Sequence, residues 1–355
     1  MDFFTLIIII LKQTVYFFNF NLPRLCDIMS VMNYLYMLQT IRESCPDFIN
    51  RFFMLVSDMV QNLGFMLPAF IYWCVSKTAG TKMFLCYSTT FFSNQLIKNT
   101  ACVYRPCIRY PELTPYAAAK PSATGYSFPS GHTVSAASFF GSVAVFQKKK
   151  KWVVILMFTL IFLTAFSRNW LGVHTIQDVL VAILEGAFFI CIFEVLSYWF
   201  ASHQDKDILL VIIGIVLAIA GLFYLQFKPY PLDYLEDGTL LVDPYDMLTD
   251  CYTATGLSCA ALIGWLADRR FIHYEAAGTW KNKIICFLIG GIIVFAEKVG
   301  LGYVFAPLGP HFSHLLKYFI LGITTMIFYP MGVMAFRKKM AVKKSVEKSD
   351  DENRE

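Results

Sequence analysis

The chain has 355 residues, of which 57% are hydrophobic and 15% charged, with a formal net charge of +5 and a mean hydropathy of +0.55. Soluble domains carry about 25% charged residues, which excludes an ordinary cytosolic fold, and a charge of +5 is too small to recruit nucleic acid. Apolar runs of 15 to 25 residues recur along the chain, the length that crosses a hydrocarbon core, so the composition predicts an all-α, polytopic membrane helical bundle.

In chain order, residues 1–28 are ambiguous. Phe3 to Leu11 is apolar, but Lys12 interrupts it and no small-residue cleavage site follows, as a signal peptide requires; Met29 and Met32 are alternative starts. Segment 33–60 mixes apolar residues with Arg42, Glu43, Asp47, Arg51 and Asp58, a pattern that predicts an amphipathic helix lying on or dipping into the interface. Windows of about 19 residues then place membrane helices near 63–77, 83–99, 131–147, 152–167, 174–200, 207–226, 251–267, 284–303 and 309–336. The domain organisation that follows is an N-terminal segment (1–62), a core (63–202), accessory membrane helices (203–336) and a short charged tail (337–355) expected to be disordered.

Charge fixes the expected sidedness of those nine helices. Lys77 and Lys82, Lys148 to Lys151, Lys206, Arg269 and Arg270 with Lys281 and Lys283, and Arg337 to Lys339 fall on one set of alternate connections. Basic residues favour the cytoplasmic side. Loop 100–130, the turn at 167–174 and the acidic loop 227–250 are therefore expected outside, in a multi-pass protein of the plasma (inner) membrane.

The basic residues left outside are grouped. Lys98 precedes Arg105-Pro106; Pro129-Ser130-Gly131-His132 opens the next membrane helix; Ser167-Arg168 ends the one after, followed by His174 and, four residues on, Asp178. All lie at the same ends of four consecutive helices and so converge. Lys98, Arg105 and Arg168 bring three positive charges, Gly131 lets backbone approach a ligand closely, helix-start N–H groups attract anions, and Ser130 adds a hydroxyl. These describe a cradle for a phosphoryl dianion. His174 and Asp178 share a helix face, so the carboxylate can hold one ring nitrogen and leave the other to attack phosphorus. His132 is placed to protonate the departing oxygen. This chemistry needs no cofactor and no bound metal.

Those eleven positions match the three-part signature of the type 2 phosphatidic acid phosphatase and vanadium haloperoxidase superfamily, which the chain resembles over roughly residues 63–200. The resemblance implies a metal-independent phosphohydrolase. In it His174 is the nucleophile, Asp178 its orienting partner and His132 the acid, with Lys98, Arg105, Ser130, Gly131 and Arg168 binding phosphate. It points to a lipid phosphate or diphosphate as substrate and the bilayer as partner, with a lipid or sugar phosphotransferase and a sugar-phosphate phosphatase as the alternatives. Haloperoxidases of the superfamily are soluble, which nine membrane helices disfavour. A transporter would need ionisable groups near the midplane, where Glu185 is the only candidate in the core.

Other features carry less. Ten cysteines show no C-x-x-C pairing; Cys102 and Cys107, which flank the first motif, could pair if the loop allows it, but read rather as free thiols. His311 and His314 read as an interfacial pair, and the stretch from Asp233 to Asp250 as a solvated loop without calcium-loop spacing. Glu297-Lys298 is either a pocket lining or a pair in the bundle interior. Trp170 is either an interface anchor or a substrate contact, and Arg109, Tyr116, Lys120 and Tyr126 are candidate headgroup contacts.

Overall fold

The computed structural model describes residues 28–352, apart from 65, 236 and 277; the ambiguous stretch 1–27 lies outside them. The described residues form an all-α membrane helical bundle, their only β feature being an isolated bridge between Tyr234 and Leu240.

Where one amphipathic helix was expected there are two, α1 (Ile28–Ser44) and α2 (Asp47–Leu63). Pro46 separates them: it has no N–H to continue the first helix and pushes Cys45 away from helical backbone. α2 does more than rest at an interface. Phe48, Phe52 and Leu55 face outward, whereas Val56, Ser57 and Val60 are buried where α2 packs on two helices of the core, α5 and α6 below.

α3 (Met66–Phe70) runs on through a widened turn to Val75, bent 57° from α2. The core then comprises α4 (Lys77–Ala101), α5 (Gly131–Phe146), α6 (Lys151–Trp170) and α7 (Ile176–Ser202). Beyond it come α8 (Asp207–Phe227), α9 (Pro244–Ala267), α10 (Trp280–Phe305), α11 (Gly309–Ile323) and α12 (Tyr329–Glu352). Every span expected from hydropathy coincides with a helix. By length and apolarity four qualify as membrane-crossing, within Lys151–Trp170, Ile176–Phe200, Asp207–Phe227 and Trp280–Lys343, and up to five if the bent pair α2–α3 is one span. α4 and α9 fall short of that standard because they are interior helices. Polar Asn94, Gln95, Lys98 and Asn99 of α4 are all buried against protein rather than lipid.

Helix starts follow capping chemistry. Ser76, Ser130, Thr175, Asp243 and Thr279 each accept from a backbone N–H of the first turn, each cap contributing about 1 kcal/mol. The residues after Arg337, expected to be disordered, instead continue α12 to Glu352. Lysine and glutamate are good helix formers, and a helix already started needs no new nucleus.

The basic connections gather at one end of the bundle. Lys77 pairs with Asp268 at 3.1 Å and Lys82 with Glu194 at 2.9 Å, while Arg269 and Arg270 both reach Asp207. Lys98 lies 21 residues along α4 from Lys77, roughly 30 Å at 1.5 Å per residue. The grouped motif residues therefore occupy the opposite end.

Candidate active site

The sequence predicted eight site residues on three separate segments, and the structure brings them together. The links run through both backbone and side chains. Ser130 N–H donates to the Asp178 carbonyl at 3.0 Å, tying the start of α5 to the first turn of α7. Arg105, just after α4, donates to the carbonyls of Val173 at 3.0 Å and Thr124 at 2.8 Å, so its head is fixed between two loops. A Cβ on Gly131 would stand 3.6 Å from Lys98 Nζ. His132 lies within the field of Arg168, His174, Arg105 and Lys98 together.

His174 sits in the turn before α7 with both ring nitrogens engaged. Nε2 is 3.1 Å from Arg105 Nη1. A guanidinium can only donate, so Nε2 is the acceptor, and the proton of the neutral ring is on Nδ1. That nitrogen faces Asp178 Oδ2 at 3.4 Å and Ser127 Oγ at 3.3 Å. Burial, then the charges of Arg105, Arg168 and Lys98, holds the imidazole well below its usual value, so the ring is neutral with its lone pair on Nε2. Burial also lowers the Arg105 guanidinium, to about 10, which leaves it charged at neutral pH.

Asp178 is held independently of the histidine. Its carboxylate accepts from Thr175 N–H at 2.8 Å, closing a reciprocal cap with the Thr175 hydroxyl, and from Ser127 Oγ at 2.5 Å. The helix cap thus aims the carboxylate at the histidine four residues earlier. Asn169 adds a bond from Nδ2 to the His174 carbonyl at 2.9 Å.

The groups predicted to bind an anion keep donors in reserve. Arg168 is fully buried and spends Nη1 on Ser57 at 2.6 Å, while Nε and Nη2 have no partner. Arg105 Nε is likewise unpartnered. Ser130 Oγ accepts from Thr133 N and Oγ1, which leaves its O–H proton to donate. Buried donors without acceptors cost stability; several of them around one point are what an anion-binding site requires. Beneath Lys98, Asn94 donates to Glu185 at 3.1 Å, so Glu185 is engaged with the helix that carries the lysine.

Sequence reasoning missed Ser57, Gln61, Ser127, Thr175 and Asn169. Gln61 Nε2 is 3.4 Å from His132 Nδ1. The available signal was spacing: Ser57 and Gln61 are four apart on α2 and so share a face.

Of the weaker expectations, some are corrected and others stand. Trp170 is buried, donates to Asn50 Oδ1 at 3.0 Å and packs on Phe53, so it is neither an interface anchor nor exposed to a substrate; docking of α2 covers it. Tyr126 is buried and Tyr116 bonds Asp47 at 3.0 Å, whereas Arg109 and Lys120 are exposed. His311 bonds the Tyr245 carbonyl and His314 bonds Thr253, each serving helix packing. Glu297 accepts from Thr324 at 2.7 Å, while Lys298 is exposed, so the two do not pair. The acidic stretch is only partly loop: Asp243 caps α9, and Asp250 lies within α9 with its charge acting on Lys98. Cys102 and Cys107 are free.

Residues 79–202, which include all eight predicted positions, match the family model described as PAP2 superfamily. Residues 252–341 match a second, described as PAP2 superfamily phosphatase, transmembrane extension. Neither a curated protein nor a solved structure matches the chain.

Proposed function

The chain belongs to the PAP2 superfamily and is a membrane phosphatase; from that premise we propose that it hydrolyses a lipid phosphate or diphosphate at the extracytoplasmic face, through a phosphohistidine on His174. The observation that carries the mechanism is the state of His174: a buried, neutral ring whose Nε2 is an acceptor and whose Nδ1–H faces Asp178.

The phosphate dianion takes the unpartnered donors of Arg105 and Arg168, the ammonium of Lys98, the Ser130 hydroxyl and the N–H groups opening α5. Arg105 turns from the imidazole to the phosphate, which frees the lone pair. Nε2 attacks phosphorus and the bond to the leaving oxygen breaks. As the ring becomes cationic, Nδ1–H stays on Asp178, which stabilises the charge as in the histidine–aspartate pair of serine hydrolases. His132, protonated when the dianion's two negative charges enter the ring of cations, gives its proton to the leaving oxygen. Water then attacks the phosphohistidine, with His132 taking the proton back. Phosphate leaves and both histidines return to their starting state.

Position favours a membrane-anchored substrate. The site lies at the ends of α4 to α7, near headgroup depth, where a lipid already presents its phosphate. Each buried CH₂ adds about 0.8 kcal/mol to partitioning. A sugar phosphate would instead need hydroxyl-reading polar groups above the site. Of the residues in loop 107–128 suited to this, Glu112 and Thr114 are already bonded to α1, which leaves Thr124. The basic end of the bundle, opposite the site, supports the extracytoplasmic assignment. Phosphate release from phosphatidic acid, phosphatidylglycerol phosphate, a polyprenyl diphosphate, a sphingoid phosphate and a sugar phosphate, in detergent with EDTA present, tests the reading. Turnover confined to the sugar phosphate rejects it.

A further inference from the structure

Two side chains from outside both matched segments reach into the site. Ser57 and Gln61 lie on α2, four residues apart and therefore on one face; Ser57 Oγ is 2.6 Å from Arg168 Nη1 and Gln61 Nε2 is 3.4 Å from His132 Nδ1. Each contact occupies the end of a site residue that points away from the reaction and leaves the other end free. Arg168 retains Nε and Nη2 without partners, and His132 retains Nε2 without one.

We propose that α2 is the positioning helix of the active site, with Ser57 orienting Arg168 as a phosphate ligand and Gln61 orienting His132 as the proton donor. The inference rests on the phosphoryl-transfer reading above and assigns that reaction two further positioning residues.

The chemistry of each partner suits its task. A guanidinium has five N–H donors in a rigid plane. Fixing Nη1 at Ser57 fixes the plane, so that Nε and Nη2 form a parallel pair for two phosphate oxygens. Ser57 is fully buried, so water does not compete for that bond. Gln61 suits a residue that changes protonation state during turnover. Its amide nitrogen donates to Nδ1 of the resting ring; turned over, its carbonyl accepts from Nδ1–H of the imidazolium and of the neutral ring left when Nε2 has given up its proton. The ring plane is held in both states, with Nε2 directed at the leaving oxygen. Val56 and Val60, buried on the same face against the core, hold the helix in register for both contacts.

The two contacts act on different steps, and kinetics separates them. The test uses the full-length protein and two substrates with one alkyl chain, an n-alkyl phosphate and a nitrophenyl phosphate carrying that chain. The alkoxide leaving group needs a proton; the nitrophenolate needs little. Ser57→Ala is expected to weaken inhibition by inorganic phosphate and raise KM about tenfold on both substrates alike, the scale of a hydrogen bond to a charged group, with Ser57→Thr restoring it. Gln61→Met is expected to leave phosphate inhibition within about twofold. It should lower kcat on the alkyl phosphate about tenfold more than on the nitrophenyl phosphate, a fraction of the 10²–10⁴ that general acid catalysis supplies. Equal, parallel losses in every parameter for both variants, or no loss in either, overturn the proposal and leave α2 a packing element. Arg168→Ala and His132→Ala serve as references. If they lack the same two signatures, the assignment of the site itself has failed rather than the role of α2.

Discussion

Arg105 Nη1 lies 3.1 Å from His174 Nε2, so the lone pair of the proposed nucleophile is capped by a proposed phosphate ligand. In the proposed mechanism one group therefore guards the lone pair and releases it only when an anion draws the guanidinium away. His174→Ala should abolish turnover. Asp178→Asn should lower kcat by about 10³–10⁴-fold, the cost of a wrong-tautomer imidazole, with the thermal unfolding of the purified protein preserved by the remaining cap at Thr175. Phosphate release under saturating substrate checks both, and a His174→Ala variant with wild-type activity refutes the nucleophile.

With His132 proposed as acid in the first step and base in the second, its removal should unbalance them. With a nitrophenyl substrate, His132→Ala should still form the covalent intermediate but hydrolyse it slowly. Rapid quenching after a ³²P-labelled substrate should then show label on protein, stable to alkali and lost in acid, at several times the wild-type level. Absence of label from both proteins under these conditions would count against a phosphohistidine.

The depressed basicity of His174 makes a stability prediction whose sign is fixed. The folded ring resists protonation while the unfolded ring titrates near 6.5. The contribution is complete above that value and is lost as pH falls through it towards the folded value, at about 1.4 kcal/mol for each pH unit of difference. Lowering pH from 7.5 to 5 should therefore cost the wild type more in Tm than it costs His174→Gln. Identical losses in the two proteins would show that the ring is not held neutral by the fold.

The gathering of Lys77, Lys82 and the Arg269–Arg270 pair at one end predicts the orientation. In a cysteine-depleted background, a cysteine at Thr114, which is exposed near the site end, should react with an impermeant maleimide in intact cells. One at Lys149 should react only after the membrane is opened. The reverse pattern would move the site to the cytoplasmic face.

Substrate anchoring predicts that kcat/KM rises steeply from short-chain to long-chain phosphates in liposomes, with glucose 6-phosphate poor by comparison. Equal efficiency on glucose 6-phosphate and a long-chain lipid phosphate would favour a sugar phosphatase.

The convergence of the predicted site residues was legible in the sequence because their spacing is dictated by helix ends: Lys98, Ser130, Arg168 and Asp178 each lie within the first or last turn of a helix or at its cap. What was not legible depended on tertiary docking. Ser57 and Gln61 are ordinary polar residues on the margin of an apolar stripe, and nothing local distinguishes them from solvated ones. Trp170 resembled an interface aromatic because its covering by α2 involves residues more than a hundred positions away. The surroundings of the spans were hidden for a related reason: α4 and α9 look like membrane helices with polar interruptions, and only packing shows that those interruptions face protein.

α9 bears on how this enzyme can be taken apart. The second family match begins at residue 252, partway along α9, yet the helix belongs to both halves. Ser258 donates to the Ser88 carbonyl at 2.9 Å and Asn99 to Cys251 at 3.3 Å on the core side. On the other, Gly256 admits α11 so closely that a Cβ there would stand 2.3 Å from the Leu315 carbonyl oxygen. The extension is therefore not a detachable cassette. A chimera spliced at the family boundary would divide one helix between two ancestries and leave the lysine-bearing α4 without its native neighbour. A graft that keeps α4, α9 and α11 from a single parent preserves the interface through which the extension supports the catalytic core.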